Sequence, residues 1–290
     1  MTATEELARS RYRRGVALNR AERFGEALAT LNEARALLKR KAGGCDVARC
    51  DWQRGVALRF LGQLEEAKDL LEGAASALSR SGQDGEAPRV ERDLAIAYNL
   101  LERFDDASEL IASARASFQR ASQPVEVALC DLVTGSQLRQ RSRYQKALRV
   151  LEGALHVFHS AGRGVDQGKA LLLIAMSHLG CHSHDQDLAC LNEAEAQFSS
   201  LNLPMRIAYC RLAQGRALWR LGRLGEAEAH MERAQDWFVR SEMRRDATDV
   251  SLNLGIVVFV KGHYDQAEEK YQEARRGYEQ LGLGAFVARC

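Results

Sequence analysis

The sequence predicts an all-α chain, a solenoid of seven helix-turn-helix repeats plus a short C-terminal helix. Three observations predict it. Small residues recur every 40 positions along the whole 290-residue chain. Within each block the apolar residues fall three and four apart, as in Phe24, Ala27, Leu28, Leu31, Ala34 and Leu38, which is helical and not strand periodicity. Chain-breaking residues cluster where one block gives way to the next. A fixed period of this size marks a repeat architecture, in which each unit buries its apolar face against its neighbours.

Taken in order, the first helix of each repeat carries a small residue at its middle: Gly15, Gly55, Ala95, Gly135, Ala175, Gly215 and Gly255. A short polar turn follows, such as AERF (21–24), LGQL (61–64) or KGHY (261–264). The second helix opens on a large side chain: Phe24, Leu64, Phe104, Tyr144, His184, Leu224 and Tyr264. Three residues on stands Ala27, Ala67, Ala107, Ala147, Asp187, Ala227 or Ala267, and after seven more the column is alanine throughout, from Ala34 to Ala274. Close helix crossings need a small residue under the neighbour's ridge, so these columns are read as crossing points. A large residue near the repeat's end (Leu38, Leu78, Phe118, Phe158, Phe198, Phe238, Tyr278) fills the core between helix pairs. The joints read AGGCD, SGQDG, ASQP, AGRG, LNLP and LGLG, and the three prolines, Pro88, Pro124 and Pro204, fall there. The repeats span about 5–42, 45–82, 85–122, 125–162, 165–202, 205–242 and 245–282 of a single array over 1–290. Residues 285–290 form an incipient cap, since FVARC at the end matches VARC at 47–50.

These columns resemble the tetratricopeptide repeat family. The carrying pattern is Gly15-Val-Ala-Leu18 followed by Ala27 to Ala34, repeated in register over roughly residues 5–281. The period of 40 in place of the family's 34 looks like its longer-helix branch. The resemblance implies a right-handed α-α superhelix (solenoid) whose first helices line a concave, protein-binding face. The carboxylate clamp of some relatives is not matched, because Tyr12 and Val16 stand where Lys and Asn are required.

On that register the concave set is basic, with eleven basic and two acidic residues in a chain of net charge +2. The expected peptide-binding residues are Arg9, Arg13, Arg20, Arg49, Trp52, Arg59, Arg89, Arg92, Asn99, Arg139, Leu172, Met176, Arg216, Trp219 and Phe259. The arginines suit an acidic segment and the C-terminal repeats an apolar one. Glu65, Glu66, Asp105, Asp106, Glu268 and Glu269 on the second helices are expected to make the outside acidic.

Near-neutral charge points to neither nucleic acid nor membrane. The N-terminus lacks an apolar signal core, and seven scattered cysteines argue against a disulfide framework and for a cytoplasmic setting. Cys50, Cys130 and Cys210, with Cys290, are expected to behave as small hydrophobes. Repeat five is irregular: His178, Cys181, His182, His184, Asp185 and Cys190 crowd together, and Asp187 interrupts an alanine column. A zinc site is the weaker reading of that cluster, with His178 a core residue; a loosened joint between repeats four and five is the stronger. No phosphate loop, nucleophile elbow or zinc-protease motif is present, so no catalytic residue, metal or cofactor is expected. The expected function is a peptide- or protein-binding adaptor, with homodimerisation or end-on docking at the open ends. The alternative is a sensor array controlling a separate effector, such as a CHAT-type protease or a transcription regulator.

Overall fold

A computed structural model describes residues 3–38, 44–82, 85–181 and 184–288, the side chains of 3, 184–187 and 285 excepted. The seven helix pairs are α1 (Ala3–Arg20) and α2 (Phe24–Leu38); α3 (Gly44–Phe60) and α4 (Leu64–Arg80); α5 (Ala87–Leu100) and α6 (Phe104–Arg120); α7 (Pro124–Gln140) and α8 (Tyr144–Ser160); α9 (Gly164–Gly180) and α10 (His184–Ser200); α11 (Pro204–Arg220) and α12 (Leu224–Arg240); α13 (Arg244–Val260) and α14 (Tyr264–Gln280). A short α15 (Gly284–Val287) follows. The bounds repeat at the spacing of the sequence columns. Pro88, Pro124 and Pro204 each sit in a helix's first turn, where the missing N–H costs nothing.

The turns have a regular backbone cause. Among the described residues, positions on a 20-residue spacing adopt positive φ, from Glu22 (61°) and Gly62 (81°) to Gly262 (85°) and Gly282 (69°). The next residue's N–H then reaches back to a carbonyl five positions earlier, as in Arg23 to Leu18 and Gln63 to Leu58, both 3.0 Å. This is a helix stop that satisfies otherwise orphaned carbonyls.

The small columns do mark the crossings. A Cβ on Gly15 would stand 2.5 Å from Leu31 Cγ, and one on Gly215 would stand 2.5 Å from Met231 Cγ. Ala27, Ala67, Ala147 and Ala227 are fully buried, as are Ala34, Ala114, Ala194, Ala234 and Ala274. Two of the large residues that open second helices pack on the next repeat's first helix: the Phe24 ring stacks on Phe60 at 4.2 Å, and Tyr144 lies against Gly180. Tyr264, last of that column, is 64% exposed.

The chain gathers into two compact units, Met1–Gln137 and Leu138–Cys290. The division falls within α7, not at the expected joint between repeats four and five. That joint is not loosened: α8 and α9 pack as closely as other consecutive repeats. Asp187 belongs to α10 and so does not lie on either helix of the joint. Its side chain, like those of His184 and Asp185, lies outside the described residues, as does all of His182.

Candidate functional site

In the N-terminal unit the first helices are tied to one another by polar side chains. Asn19 on α1 donates through Nδ2 to the Gln53 carbonyl on α3 at 2.9 Å. Trp52 Nε1 donates to Asp93 Oδ2 on α5 at 2.7 Å. Arg49 pairs with Glu86 at 2.8 Å and with Asp46 at 3.0 Å. Glu126 on α7 pairs with both Arg89, at 2.9 Å, and Arg92. Hydrogen bonding to Glu86 holds the Arg49 guanidinium above its ordinary pKa. For Arg92 burial works against the charge, but Asp93 and Glu126 outweigh it and the net shift is upward.

These pairs engage three of the arginines expected to line the basic groove. Asp46, Glu86, Glu126, Asp166 and Asp246 form an acidic column near the start of successive first helices, broken by Arg206. Acids are favoured there by the helix dipole. Because the column lies a turn before the counted set, the arginines looked unopposed. Arg49, Arg89 and Arg92 are instead engaged with acids of their own chain. Arg9, Arg13 and Arg20 on α1 are exposed, and Arg59 lies over the Phe60 ring at 4.3 Å. Asn99 on α5 is 6% exposed, and its Oδ1 has no hydrogen-bond partner among the described residues. Asn19 Oδ1, at the equivalent position of α1, is also buried without one.

In the C-terminal unit the same position carries Arg139, whose Nε is likewise buried and unpartnered among the described residues. Burial, and then the nearby Arg216 charge, pull the Arg139 pKa down to about 10. Arg216 on α11 donates from Nε to Asn253 Oδ1 on α13 at 2.9 Å. Arg220 donates to the Leu179 carbonyl. Asp166 is buried between Arg163 and Lys169, both at 2.7 Å. Tyr209 donates to Asp246 Oδ1 at 2.7 Å. Burial, and then neighbouring Asp249, push the Asp246 carboxyl up to about 7.

Leu172 and Met176 are half-buried on α9 and pack against a core with Leu179, Leu191 and Ala213. Trp219 is also half-buried. Phe259 is 53% exposed, but its ring meets Tyr264 at 5.3 Å. Together with Tyr271 and Val287 these two line a cavity of about 600 Å³ beside α14 and α15. The structure thus gathers Phe259 with the end of the last repeat and not with the other expected residues.

Cys50, Cys130 and Cys210 are fully buried, and burial lifts their thiols to about 12, 11 and 12, which makes them inert packing groups. Cys290 lies outside the described residues. His178 is half-buried, not fully enclosed like the leucines Leu18 and Leu58 of its column. Among the described residues no group of three or more His, Cys, Asp or Glu is placed to hold a metal ion. No described helix is long and apolar enough to cross a membrane. Glu65, Glu66, Asp105, Asp106, Glu268 and Glu269 are exposed, as expected of the second helices.

The helix pairs define an all-α helical-repeat solenoid. Two tetratricopeptide repeat models match the sequence, at residues 212–281 and 48–72. Tetratricopeptide repeats are thus recognised in these two stretches, one near each end of the array. No curated protein matches it by sequence. Among solved structures it is similar to the Rap conjugation gene regulator of plasmid pLS20 in complex with the Phr* peptide, with a TM-score of 0.77 and 14% identity over 92% of this chain and 72% of that one. It is similar to NprR in complex with its cognate peptide NprX, with a TM-score of 0.74 and 14% identity over 97% and 80%. A Rap protein complexed with Competence and Sporulation Factor gives 0.69 and 17% identity over 96% and 78%.

Proposed function

We propose that this chain is a peptide-binding adaptor whose ligand lies along the first helices. One observation carries the reading: at a single repeat position, Asn19 Oδ1, Asn99 Oδ1 and Arg139 Nε are buried polar atoms without a partner among the described residues. A buried, unsatisfied polar group costs about 1–3 kcal/mol. Such groups are few in natural proteins and each has a reason. A peptide backbone supplies what is missing, an N–H for the asparagine oxygens and a carbonyl for the guanidinium N–H. Two of the three similar structures are complexes with a peptide and the third is a complex with Competence and Sporulation Factor, which supports the reading. Arg9, Arg13, Arg20, Trp52 and Arg59 would flank the ligand in the N-terminal unit. Leu172, Met176, Arg216 and Trp219 would do so in the C-terminal unit.

The test is retention of a random heptapeptide pool by immobilised protein. Asn99→Ala is expected to weaken retention about tenfold, the worth of one or two hydrogen bonds, with unchanged helical circular dichroism. Unchanged retention by Asn99→Ala, or none by the wild type, contradicts the proposal. Reversing Arg49 and Arg89 is a poorer test, because it sets new acids against Glu86 and Glu126 and so disturbs the fold.

A second reading is a sensor array that controls a separate effector. The similarity to a conjugation gene regulator favours it. It predicts a change in small-angle scattering radius when the retained peptides are added, whereas a simple adaptor keeps its radius.

A further inference from the structure

The first and the last repeat present different outer faces. On α1, Ser10 and Arg14 are exposed at the repeat positions where Cys50 and Leu94 are buried. Arg11 stands at the position of Asp51. Helical arrays need polar faces of this kind where the stacking stops. The last repeat presents aromatic and aliphatic side chains instead. Phe259, Val260 and Tyr264 are 53%, 53% and 64% exposed. Tyr271 is half-buried, whereas its six counterparts, from Leu31 to Met231, are at most 5% exposed. In an earlier repeat the next first helix closes this column, where Cys50 Sγ donates to the Leu31 carbonyl at 3.3 Å. Phe259, Tyr264 and Tyr271 border the cavity of about 600 Å³ beside α15. An exposed apolar patch rimmed by polar groups marks a contact surface.

The charges on α14 indicate what covers this face. Tyr264, Glu268, Gln272, Arg275 and Glu279 are exposed and lie three and four residues apart, so they share one stripe. Within α14, Gln272 donates to Glu268 at 3.1 Å and Arg275 to Glu279 at 3.0 Å, contacts that leave both side chains at the surface. Glu268 precedes Tyr271 by as many residues as Arg275 follows Gln272. Rotated by half a turn about the Tyr271–Gln272 link, the stripe sets acid against base, as a self-complementary surface must. We infer that this face joins two copies of the chain across a two-fold axis, with α14 antiparallel to α14 of the second copy. Glu268 then meets Arg275 of the second copy, and Arg275 meets its Glu268. Tyr264, Tyr271, Phe259 and Val260 supply the apolar contact. Exposed ion pairs add little affinity, so the buried rings hold the dimer and the charges fix its register. Stacking of a second copy's α1 on α14 is disfavoured. Arg35 meets Asp51, and Arg115 meets Asp131, each at 2.7 Å. In that register Arg11 of the second copy would meet Arg275, cation against cation. The inference is independent of the proposed peptide binding, which rests on polar atoms of α1, α5 and α7.

The experiment is sedimentation equilibrium of the full chain over micromolar concentrations, with circular dichroism to confirm that each variant is folded. The wild type is expected to sediment as a dimer. Tyr264→Arg, Glu268→Arg and Arg275→Glu should each raise the dissociation constant about tenfold or more, since each places a charge in the apolar contact or like charges across it. Glu268→Arg combined with Arg275→Glu exchanges the two charges and should recover most of the dimer. A wild type that is monomeric at every concentration overturns the inference. So does a mass that keeps growing with concentration, the mark of head-to-tail stacking. A dimer untouched by Tyr264→Arg overturns it as well. A double variant no tighter than the single ones overturns the antiparallel pairing, and the proposed dimer with it.

Discussion

At the scale of single residues, the acids near the start of the first helices decide much of the chemistry. Glu86 and Glu126 neutralise Arg49, Arg89 and Arg92, whereas Arg139 meets no acid among the described residues. Asp246 shows the opposite imbalance. It is a largely buried acid beside Asp249, with Tyr209 donating to it and Arg245 nearby, and its carboxyl is raised to about 7 from 3.8. Between those two values the folded state holds a proton that the unfolded chain has released. The contribution of Asp246 to stability therefore falls as pH rises from about 4 to about 7 and levels off above that. Asp246→Asn should flatten this slope in urea titrations and raise stability at pH 8 by about 1 kcal/mol, a figure discounted for partial exposure. An unchanged slope would show that Asp246 ionises normally in the fold.

At the scale of elements, one pairing between a second helix and the following first helix repeats along the chain. Arg35 pairs with Asp51 and Arg115 with Asp131, both at 2.7 Å; two repeats later the charges are exchanged, Glu195 with Arg211 at 3.0 Å. Leu155 and Leu171 pack at the same position, and Gln235 donates to Ser251 at 2.7 Å. The chain thus preserves the pairing while changing its chemistry. The exception is Ala75 opposite Glu91, whose Oε2 is buried without a partner among the described residues and whose carboxyl is raised by burial. Ala75→Arg should supply the partner and stabilise the protein by about 0.5–1 kcal/mol in thermal or urea melts. A loss of stability would mean that the position cannot take the longer side chain. Helix bounds, turns and crossing columns were all legible in the sequence, because each depends on one residue's size or its neighbours' spacing. The exchanged pair was equally periodic, but it shows only when two columns are compared, one on each helix. The acidic column escaped for a simpler reason: residues of a helix's first turn read as dipole partners, not as part of a face.

At the scale of the whole molecule, seven similar repeats do not make seven equal ones. The sequence suggested a basic amino-terminal stretch and an apolar carboxy-terminal one. The structure replaces that gradient with largely paired charges through repeats two to four and a cation-rich position in the C-terminal unit. The division into two compact units inside α7 was not legible, since α7 carries the same columns as its neighbours and the difference lies in contacts spread over many residues. Phe259 lies beside Tyr264, which no further described repeat covers. Peptide binding along the first helices is the central claim. It is tested most directly by hydrogen exchange on the full chain, with and without the pooled heptapeptides it retains. The account predicts that added protection concentrates on first helices, around Asn99 on α5 and Arg139 on α7, and is lost there in Asn99→Ala and Arg139→Gln respectively. Protection confined to the second helices, or to the cavity of Phe259 and Tyr264, would contradict it.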